Sequence, residues 1–186
     1  MTETDKSKRK RKKPKPLPIE VEIRQMQLKD LPEVFELGQK LFTAEDLPTL
    51  YRCWDDEEVM NIFSNDAETC FVADVNGKVV GFALGSMMSK PRSAWRYGWL
   101  EWLGVDPAYK RHGIATRLVK QMLSAFIERE ARIMLVDTDE DNFEALAFFR
   151  KMGFGQEIKH VYLSMNLEDH PKYIEHKNSQ RNGKDD

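Results

Sequence analysis

Residues 99–126, which read WLEWLGVDPAYKRHGIATRLVKQMLSAF, constrain the fold more than any other part of the chain. The segment opens with an apolar run that ends at Val105, turns at Asp106-Pro107, and takes up a helical apolar repeat from Ile114. Gly113 stands just before that repeat, at a typical position for a loop that meets a helix. The segment therefore predicts a buried strand, a short loop and an amphipathic helix in direct succession.

The loop between this strand and this helix has the properties of an anion-binding site. The first N–H groups of a helix have no acceptor within the helix, and the helix dipole places positive potential at that end. Gly113 allows close approach to the backbone, and Lys110, Arg111 and His112 add positive charge. Two interpretations stand for such a loop: a structural connection, or a site for a group such as pyrophosphate.

Further motifs connect this loop to a known family. Lys110-Arg111-His112-Gly113-Ile114-Ala115 resembles the acyl-CoA-binding motif of the GNAT superfamily of N-acetyltransferases, written Gln/Arg-x-x-Gly-x-Gly/Ala. Downstream, Asn142-x-x-Ala145 and Phe149-x-x-x-Gly153-Phe154 lie where the pattern of that family expects them. The resemblance covers residues 19–167. Two positions depart from the pattern: Lys110 replaces Gln or Arg, and Phe149 replaces the usual Tyr.

The resemblance implies both a fold and a co-substrate. The fold is α/β, a GNAT-like mixed and mostly antiparallel sheet of six to seven strands with splayed central strands, flanked by about four helices. The co-substrate is acetyl-CoA, with its pyrophosphate on the loop and its pantetheine arm along the central strand. The implied contact residues are Leu103, Gly104, Val105, Lys110, Arg111, His112, Gly113, Ile114, Ala115, Thr116, Asn142 and Phe149. Asn142 has a second interpretation, since its side chain is also suited to cap a helix.

Glu101 is the only charged side chain between Tyr97 and Val105. A carboxylate among apolar neighbours is costly to bury without a partner, so it is either paired structurally or kept for chemistry. An amine must lose a proton before it attacks a thioester, and a carboxylate acting through a water is a workable base. The resemblance, in which an acid often lies on this strand, implies a general base; a structural carboxylate is the alternative.

Phe149 occupies the position from which a tyrosine of the family commonly protonates the departing thiolate of CoA. A phenyl ring has no proton to donate. Either the thiolate leaves without assistance, or Tyr162 or Tyr97 replaces the missing donor. Packing is the alternative role for both tyrosines.

Apolar spacing predicts the flanking elements. They are a first strand over 20–27, a helix capped by Asp30, a helix over 56–63, two strands over 69–75 and 78–87 joined by Asn76-Gly77, a strand over 133–136, a helix over 142–152 and a last strand over 161–166. Between residues 44 and 58, six acidic side chains stand against Arg52 alone. That acidic segment is either a solvated face or, beside the acceptor, a feature that favours a cationic amine.

The ends of the chain differ from its body. Residues 1–17 hold eight basic side chains against Glu3 and Asp5, while the formal net charge of the whole chain is −2, so the remainder is acidic. Polar composition and prolines predict a disordered basic arm over 1–18. The arm is either a solubilising tail or, through residues 6–15, a weak contact with RNA or a ribosome. We expect one domain over 19–167 and a polar C-terminal tail over 168–186.

The composition of the chain bears on its cellular compartment and on metal binding. Two cysteines without a paired motif, and no signal peptide or membrane-length apolar run, predict a cytoplasmic protein with no membrane contact. Four scattered histidines give no zinc spacing. Asp137, Asp139 and Asp141 do not form a calcium loop, because Asn142 and Phe148 stand where a glycine and a glutamate are required. We therefore expect no metal, and the sequence carries no signal of an oligomeric state.

Together these features predict an N-acetyltransferase that moves acetyl from acetyl-CoA to a primary amine by direct attack in a ternary complex. The acceptor would be a protein N-terminus, a lysine or a small amine such as a polyamine, and the motif spacing most resembles the ribosomal-protein N-terminal acetyltransferase branch. One alternative is a ribosome- or nucleic-acid-associated binding protein that retains a CoA pocket as a sensor or relic, for which Phe149 and the basic arm speak. A second is an acyltransferase for a bulkier acyl-CoA.

Overall fold

The computed structural model describes residues 19–43, 54–89, 95–161 and 163–182, with backbone alone for 181–182. The predicted basic arm, the 44–53 part of the acidic segment and Tyr162 lie outside the described residues. The chain divides into two compact units, Met1–Gly153 and Phe154–Asp186. The predicted domain limits of 19 and 167 stay a prediction.

The first unit is built on one sheet. Its elements are β1 (Glu22–Gln25), α1 (Leu31–Leu41), α2 (Asp56–Asp66), β2 (Phe71–Val75), β3 (Lys78–Ser89), β4 (Arg96–Val105), α3 (Ile114–Glu128), β5 (Ala131–Val136) and α4 (Phe143–Met152). The strands lie in chain order, all neighbours antiparallel except the parallel pair β4 and β5. The predicted fold class is confirmed. The sheet has five strands in the described part of the chain, not six to seven.

Helices cover the two faces of this sheet. On one, called here the α1–α2 face, Val34 and Leu37 of α1 and Val59 of α2 pack in a buried cluster with Phe82 and Trp102 of the sheet. On the other, the α3 face, Met122 and Phe126 lie so close to the strands that a Cβ at Gly85 or Gly98 would overlap them. Each strand therefore alternates between two packed layers.

β4 is irregular along both of its edges. Toward β3 the register shifts by one residue, because Leu84 pairs with Trp102 whereas Gly85 pairs with Leu100. Glu101 is the residue left over, which makes it part of a β-bulge. Toward β5 the pairing runs only from Arg96 to Leu100, so residues 101–105 have no strand partner on that side within the described part. The predicted splay between central strands is present at this point.

In the second unit, the described residues of 161–166 form no strand, so that prediction is wrong. Their alternating side chains Val161, Leu163 and Met165 are exposed. An alternating pattern becomes a strand only where a neighbouring strand supplies hydrogen bonds, and no described segment of this unit does so. The predicted polar tail contains a helix, α5 (Pro171–Asn182), that has no apolar stripe.

A buried ion pair ties β1 to the start of α1. Arg24 donates to both carboxylate oxygens of Asp30, at 2.7 and 2.9 Å, and to Asp74 of β2 at 3.0 Å. Asp30 also accepts from the backbone N–H of Gln27 at 2.8 Å and is only 3% exposed. Its carboxylate makes no capping bond to α1, contrary to the expected N-cap role, because these partners occupy it. The Arg24 guanidinium lowers the pKa of Asp30 below its usual 3.8.

We expect Asp30→Asn to lower the free energy of unfolding by about 3 kcal/mol, because it leaves the partly buried Arg24 guanidinium short of one counter-charge. A lowered carboxyl pKa stabilises the fold above the unfolded-state pKa and loses that effect as the pH falls through the folded value. The wild type should therefore lose stability below about pH 4 more steeply than Asp30→Asn. Urea unfolding at neutral and acidic pH measures both effects. Glu36→Gln, at an exposed carboxylate of α1, is the control, and equal stability of the Asp30 variant and this control would contradict the prediction.

Candidate active site

The turn after β4 is held to the sheet by its backbone. The N–H of Asp106 donates to the carbonyl of Val80 at 2.9 Å, and the Asp106 carboxylate accepts from the N–H of Ala108 at 2.9 Å. A single turn of 3-10 helix, Pro107–Tyr109, follows before the basic loop. The loop therefore starts at a fixed point beside the end of the central strand.

The basic loop has an unusual backbone. Arg111 and Gly113 both adopt left-handed conformations, with φ of 72° and 76°. For Arg111 this conformation is strained, and strain of this kind concentrates at ligand-binding sites. His112 directs Nδ1 at the carbonyls of Tyr109 and Lys110, at 3.1 and 3.2 Å; because carbonyls only accept, Nδ1 carries the proton. His112 thus closes the loop on itself, while Lys110 and Arg111 are exposed.

The first turn of α3 begins beside open space at Gly113. Ile114 is 2% exposed and anchors the helix, whose first internal bond runs from the Arg117 N–H to the Gly113 carbonyl at 3.1 Å. The N–H groups of residues 114–116 therefore have no acceptor within the helix, and Gly113 has no side chain to cap them. A Cβ built on Gly113 would meet nothing within 4 Å. This corner has the room and the donors that a pyrophosphate requires.

The open edge of β4 leads into this corner. Its backbone over Leu103, Gly104 and Val105 lies on the side from which β5 has departed. An edge of this kind can accept an extended group as an additional strand. Gly104 is buried, since a Cβ there would overlap Leu41 and Phe82, so that residue offers its main chain and no side chain. The residues predicted to follow the pantetheine arm therefore lie on a backbone edge that has no strand partner in the described part of the chain.

The carboxylate of Glu101 lies on the α1–α2 face. Its Oε1 accepts a hydrogen bond from the Ser86 hydroxyl at 2.6 Å. Ser86 follows Gly85, which faces α3, so Ser86 projects to the opposite face, and its partner does too. Both side chains are half-buried. The structure thus supplies the structural partner that one interpretation of Glu101 required, without placing the carboxylate out of reach of solvent.

Two tryptophans of β4 are oriented by acids around Glu101. Trp102 donates its indole N–H to Glu58 of α2 at 2.9 Å, and Trp99 donates to Asp137, just after β5, also at 2.9 Å. Asp66, at the end of α2, accepts from the N–H of Met87 at 3.2 Å. Burial raises the pKa of Asp66, and nearby carboxylates including Glu101 add to the effect. Negative charge therefore gathers on this face.

Three further predicted residues have separate outcomes. Asn142 accepts from the N–H of Ala145 at 3.1 Å and caps α4, which is its structural interpretation. Phe149 is buried, with its ring 5.2 Å from that of Phe148 in an edge-on contact. Tyr162 lies outside the described residues, and its role as proton donor stays a prediction. Ser86 and Asp66 were not found from the sequence, because their nearness to Glu101 depends on the register between strands.

Two other features, a metal site and a membrane span, are not found in the described residues. No group of three or more His, Cys, Asp and Glu side chains among them is arranged to hold a metal ion. None of the helices in the described ranges is long and apolar enough to cross a membrane.

Comparison with known proteins places this arrangement among acetyltransferases. The chain is 32% identical to human N-alpha-acetyltransferase 30 over 90 residues, which are 48% of this chain and 25% of the human protein; the aligned share of the Xenopus laevis protein is 33%. The chain thus matches a quarter to a third of the length of these relatives.

Solved structures share the fold. Aminoglycoside N-acetyltransferase AAC(6')-Iy in complex with CoA superposes with a TM-score of 0.63 at 20% identity, covering 81% of this chain and 98% of that one. An acetyltransferase from Trypanosoma brucei gives a TM-score of 0.60 at 22% identity, covering 78% and 100%. Identities this low establish the fold alone. The sequence pattern of the acetyltransferase (GNAT) family, however, matches residues 31–154, which is more than half of the chain, and the chain therefore belongs to that family, as its motifs predicted.

Proposed function

We propose that this protein is an acetyl-CoA-dependent N-acetyltransferase that acts on a primary amine. The proposal depends on one observation about the end of β4. The backbone edge over residues 101–105 has no partner on the β5 side in the described part of the chain, and the loop that follows it leads to the uncapped start of α3, called here the corner. An extended pantetheine arm and a pyrophosphate have the same order in CoA. The corner would be formed by the backbone of residues 111–115, with Lys110 and Arg111 adding positive charge.

The chemistry would be a direct transfer between two bound substrates. An ammonium acceptor first gives a proton to Glu101, directly or through a water, and its free lone pair then attacks the thioester carbonyl carbon. Backbone N–H groups of the β4 edge would stabilise the oxyanion. The C–S bond then breaks, the amide forms, and the thiolate takes up the remaining amine proton. The sum is one amide, one CoA thiol and one released proton.

A covalent intermediate on cysteine does not fit the described part of the chain. Cys70 is fully buried, and burial raises the pKa of its thiol to about 12. A thiol in that state is a poor nucleophile at neutral pH. Direct attack in a ternary complex is the remaining route through the residues that we assign.

The charge of the site supports a cationic acceptor. Glu58, Asp66, Glu101 and Asp137 lie on or beside the α1–α2 face of β4, where the Ser86 bond places the Glu101 carboxylate. Negative potential there raises the local concentration of amines in their charged form. The names N-alpha-acetyltransferase 30 and aminoglycoside N-acetyltransferase both describe acetyl transfer to nitrogen, which is consistent with an amine acceptor.

An acceptor panel tests the proposal directly. We expect acetyl-CoA to raise the melting temperature of the full chain, and mass spectrometry to find acetylated product among peptides with free N-termini, lysine peptides and polyamines. Cationic acceptors should react faster than neutral or anionic ones of similar size, and the preference should weaken as salt is added. Reaction of neutral or anionic acceptors alone would contradict the proposed acceptor class.

Phe149 is the reason to consider a second candidate function. A buried phenyl ring at this position supplies no proton to the thiolate, as in a protein that binds CoA as a sensor or relic and contacts RNA or ribosomes through its basic arm. The same panel separates the two candidates, because a binding protein would be stabilised by acetyl-CoA without forming product. Including longer acyl-CoA donors in the panel tests whether the transferred group is larger than acetyl.

A further inference from the structure

We propose that Ser86 is a positioning residue for the amine-deprotonating step, because its hydroxyl holds the Glu101 carboxylate in one orientation on the α1–α2 face. The inference rests on the proposed function, in which Glu101 takes the amine proton. It goes beyond that function by assigning a role to a residue of another strand. The observation behind it is the 2.6 Å hydrogen bond from Ser86 Oγ to Glu101 Oε1.

The β-bulge explains why Glu101 needs such a partner. In a regular strand, the pairing with the next strand fixes the direction of each side chain. Here Leu84 pairs with Trp102 and Gly85 pairs with Leu100, so β4 has one residue more than β3 between these two pairs. A bulged residue has no opposite residue of its own, and the backbone around it is locally irregular. A glutamate at such a position also has three rotatable side-chain bonds. A side-chain hydrogen bond from β3 therefore supplies the orientation that the ladder does not.

The length of the hydrogen bond indicates how firmly it holds the carboxylate. Hydrogen bonds from a hydroxyl to a carboxylate are shorter and stronger than those between neutral groups. A length of 2.6 Å is typical of that class. The bond therefore fixes the direction of the Glu101 carboxylate, which must face the acceptor to take its proton.

Charged groups of other elements lie on the same face. The titratable side chains there are Glu58 and Asp66 from α2, Tyr97 from β4, Asp137 after β5 and Glu33 from α1, which accepts from the N–H of Val79. Arg129 contributes a positive charge near Asp66. Because like charges repel, the acidic neighbours disfavour orientations of the Glu101 side chain that approach them. The Ser86 hydroxyl holds the carboxylate against that repulsion.

A structural comparison tests this inference without any substrate. Crystal structures of the wild type and of Ser86→Ala show which orientations the Glu101 carboxylate adopts. We expect one orientation in the wild type and several orientations, or weak side-chain density, in Ser86→Ala, because the donor that fixes the carboxylate is lost. Ser89→Ala, at an exposed serine of the same strand, should leave the orientation unchanged. The same single orientation in Ser86→Ala and in the wild type would overturn the inference.

Kinetics then test whether the hydrogen bond serves the reaction. Ser86→Ala should lower kcat about tenfold with little change in KM for acetyl-CoA, and Ser86→Thr, which keeps the hydroxyl, should recover most of the loss. Placed on Glu101→Gln, Ser86→Ala should have no further effect, because the residue it acts through is gone. A full tenfold loss in that background would overturn the inference. If the orientation of Glu101 changes in Ser86→Ala but no amine is acetylated by the wild type, the proposed function fails while the positioning hydrogen bond stands.

Discussion

Glu101→Gln should lower kcat/KM for the amine about a hundredfold to a thousandfold, the largest effect expected of any single substitution in this chain. Glutamine keeps the size of glutamate and can still accept from Ser86, but it cannot take a proton. Steady-state kinetics between pH 6 and 9, on the best acceptor of the panel, would measure the loss.

The control for this variant is its affinity for acetyl-CoA, which should not change because the corner lies beyond the end of β4. Glu128→Gln, at an exposed carboxylate at the end of α3, is the matched substitution and should retain wild-type kinetics. Turnover of Glu101→Gln equal to that of the wild type across the pH range would show that the carboxylate is structural. The alternative interpretation of the sequence would then be the correct one.

Gly113→Ala should weaken acetyl-CoA binding at least about tenfold while costing the fold only about 1 kcal/mol. The φ of 76° disfavours an L residue, which accounts for the loss of stability. The added methyl meets no protein atom within 4 Å and projects into the space that the pyrophosphate would enter. Calorimetric titration with CoA and acetyl-CoA measures the change in affinity, and urea unfolding measures the change in stability.

The chain contains a matched control for this substitution. Gly77, in the turn between β2 and β3, also has a positive φ, of 83°, and a Cβ there would likewise meet nothing within 4 Å. Gly77→Ala should therefore show a similar loss of stability with unchanged affinity for CoA. If the two variants lose affinity equally, or if neither does, the pyrophosphate is not bound at this corner.

Local features of this fold could be predicted from the sequence because their causes are local. Asn76-Gly77 forms the expected turn since both residues tolerate positive φ, which they adopt at 54° and 83°. Gly153 ends α4 in a left-handed conformation for the same reason. The basic loop before Ile114 could be predicted because the residues of its motif are contiguous in the sequence.

Features that depend on distant pairing could not be predicted in this way. Arg24 and Asp74 are fifty residues apart in the chain, and nothing near either residue signals that the two will pair. Ser86 meets Glu101 only because a bulge sets the register. Residues 161–166 show the opposite case. Their alternating pattern is compatible with a strand, but the described residues form none, because no described segment of the same unit pairs with them.

The bulge in β4 makes the strand one residue longer than the packing of the sheet requires. Leu100 and Trp102 point to opposite layers, as two consecutive residues of an ordinary strand would. Removing Glu101 would join them in an uninterrupted ladder with every apolar side chain still in its own layer. Packing alone would thus be satisfied by a strand one residue shorter, and the inserted position contributes a carboxylate that the sheet itself does not require.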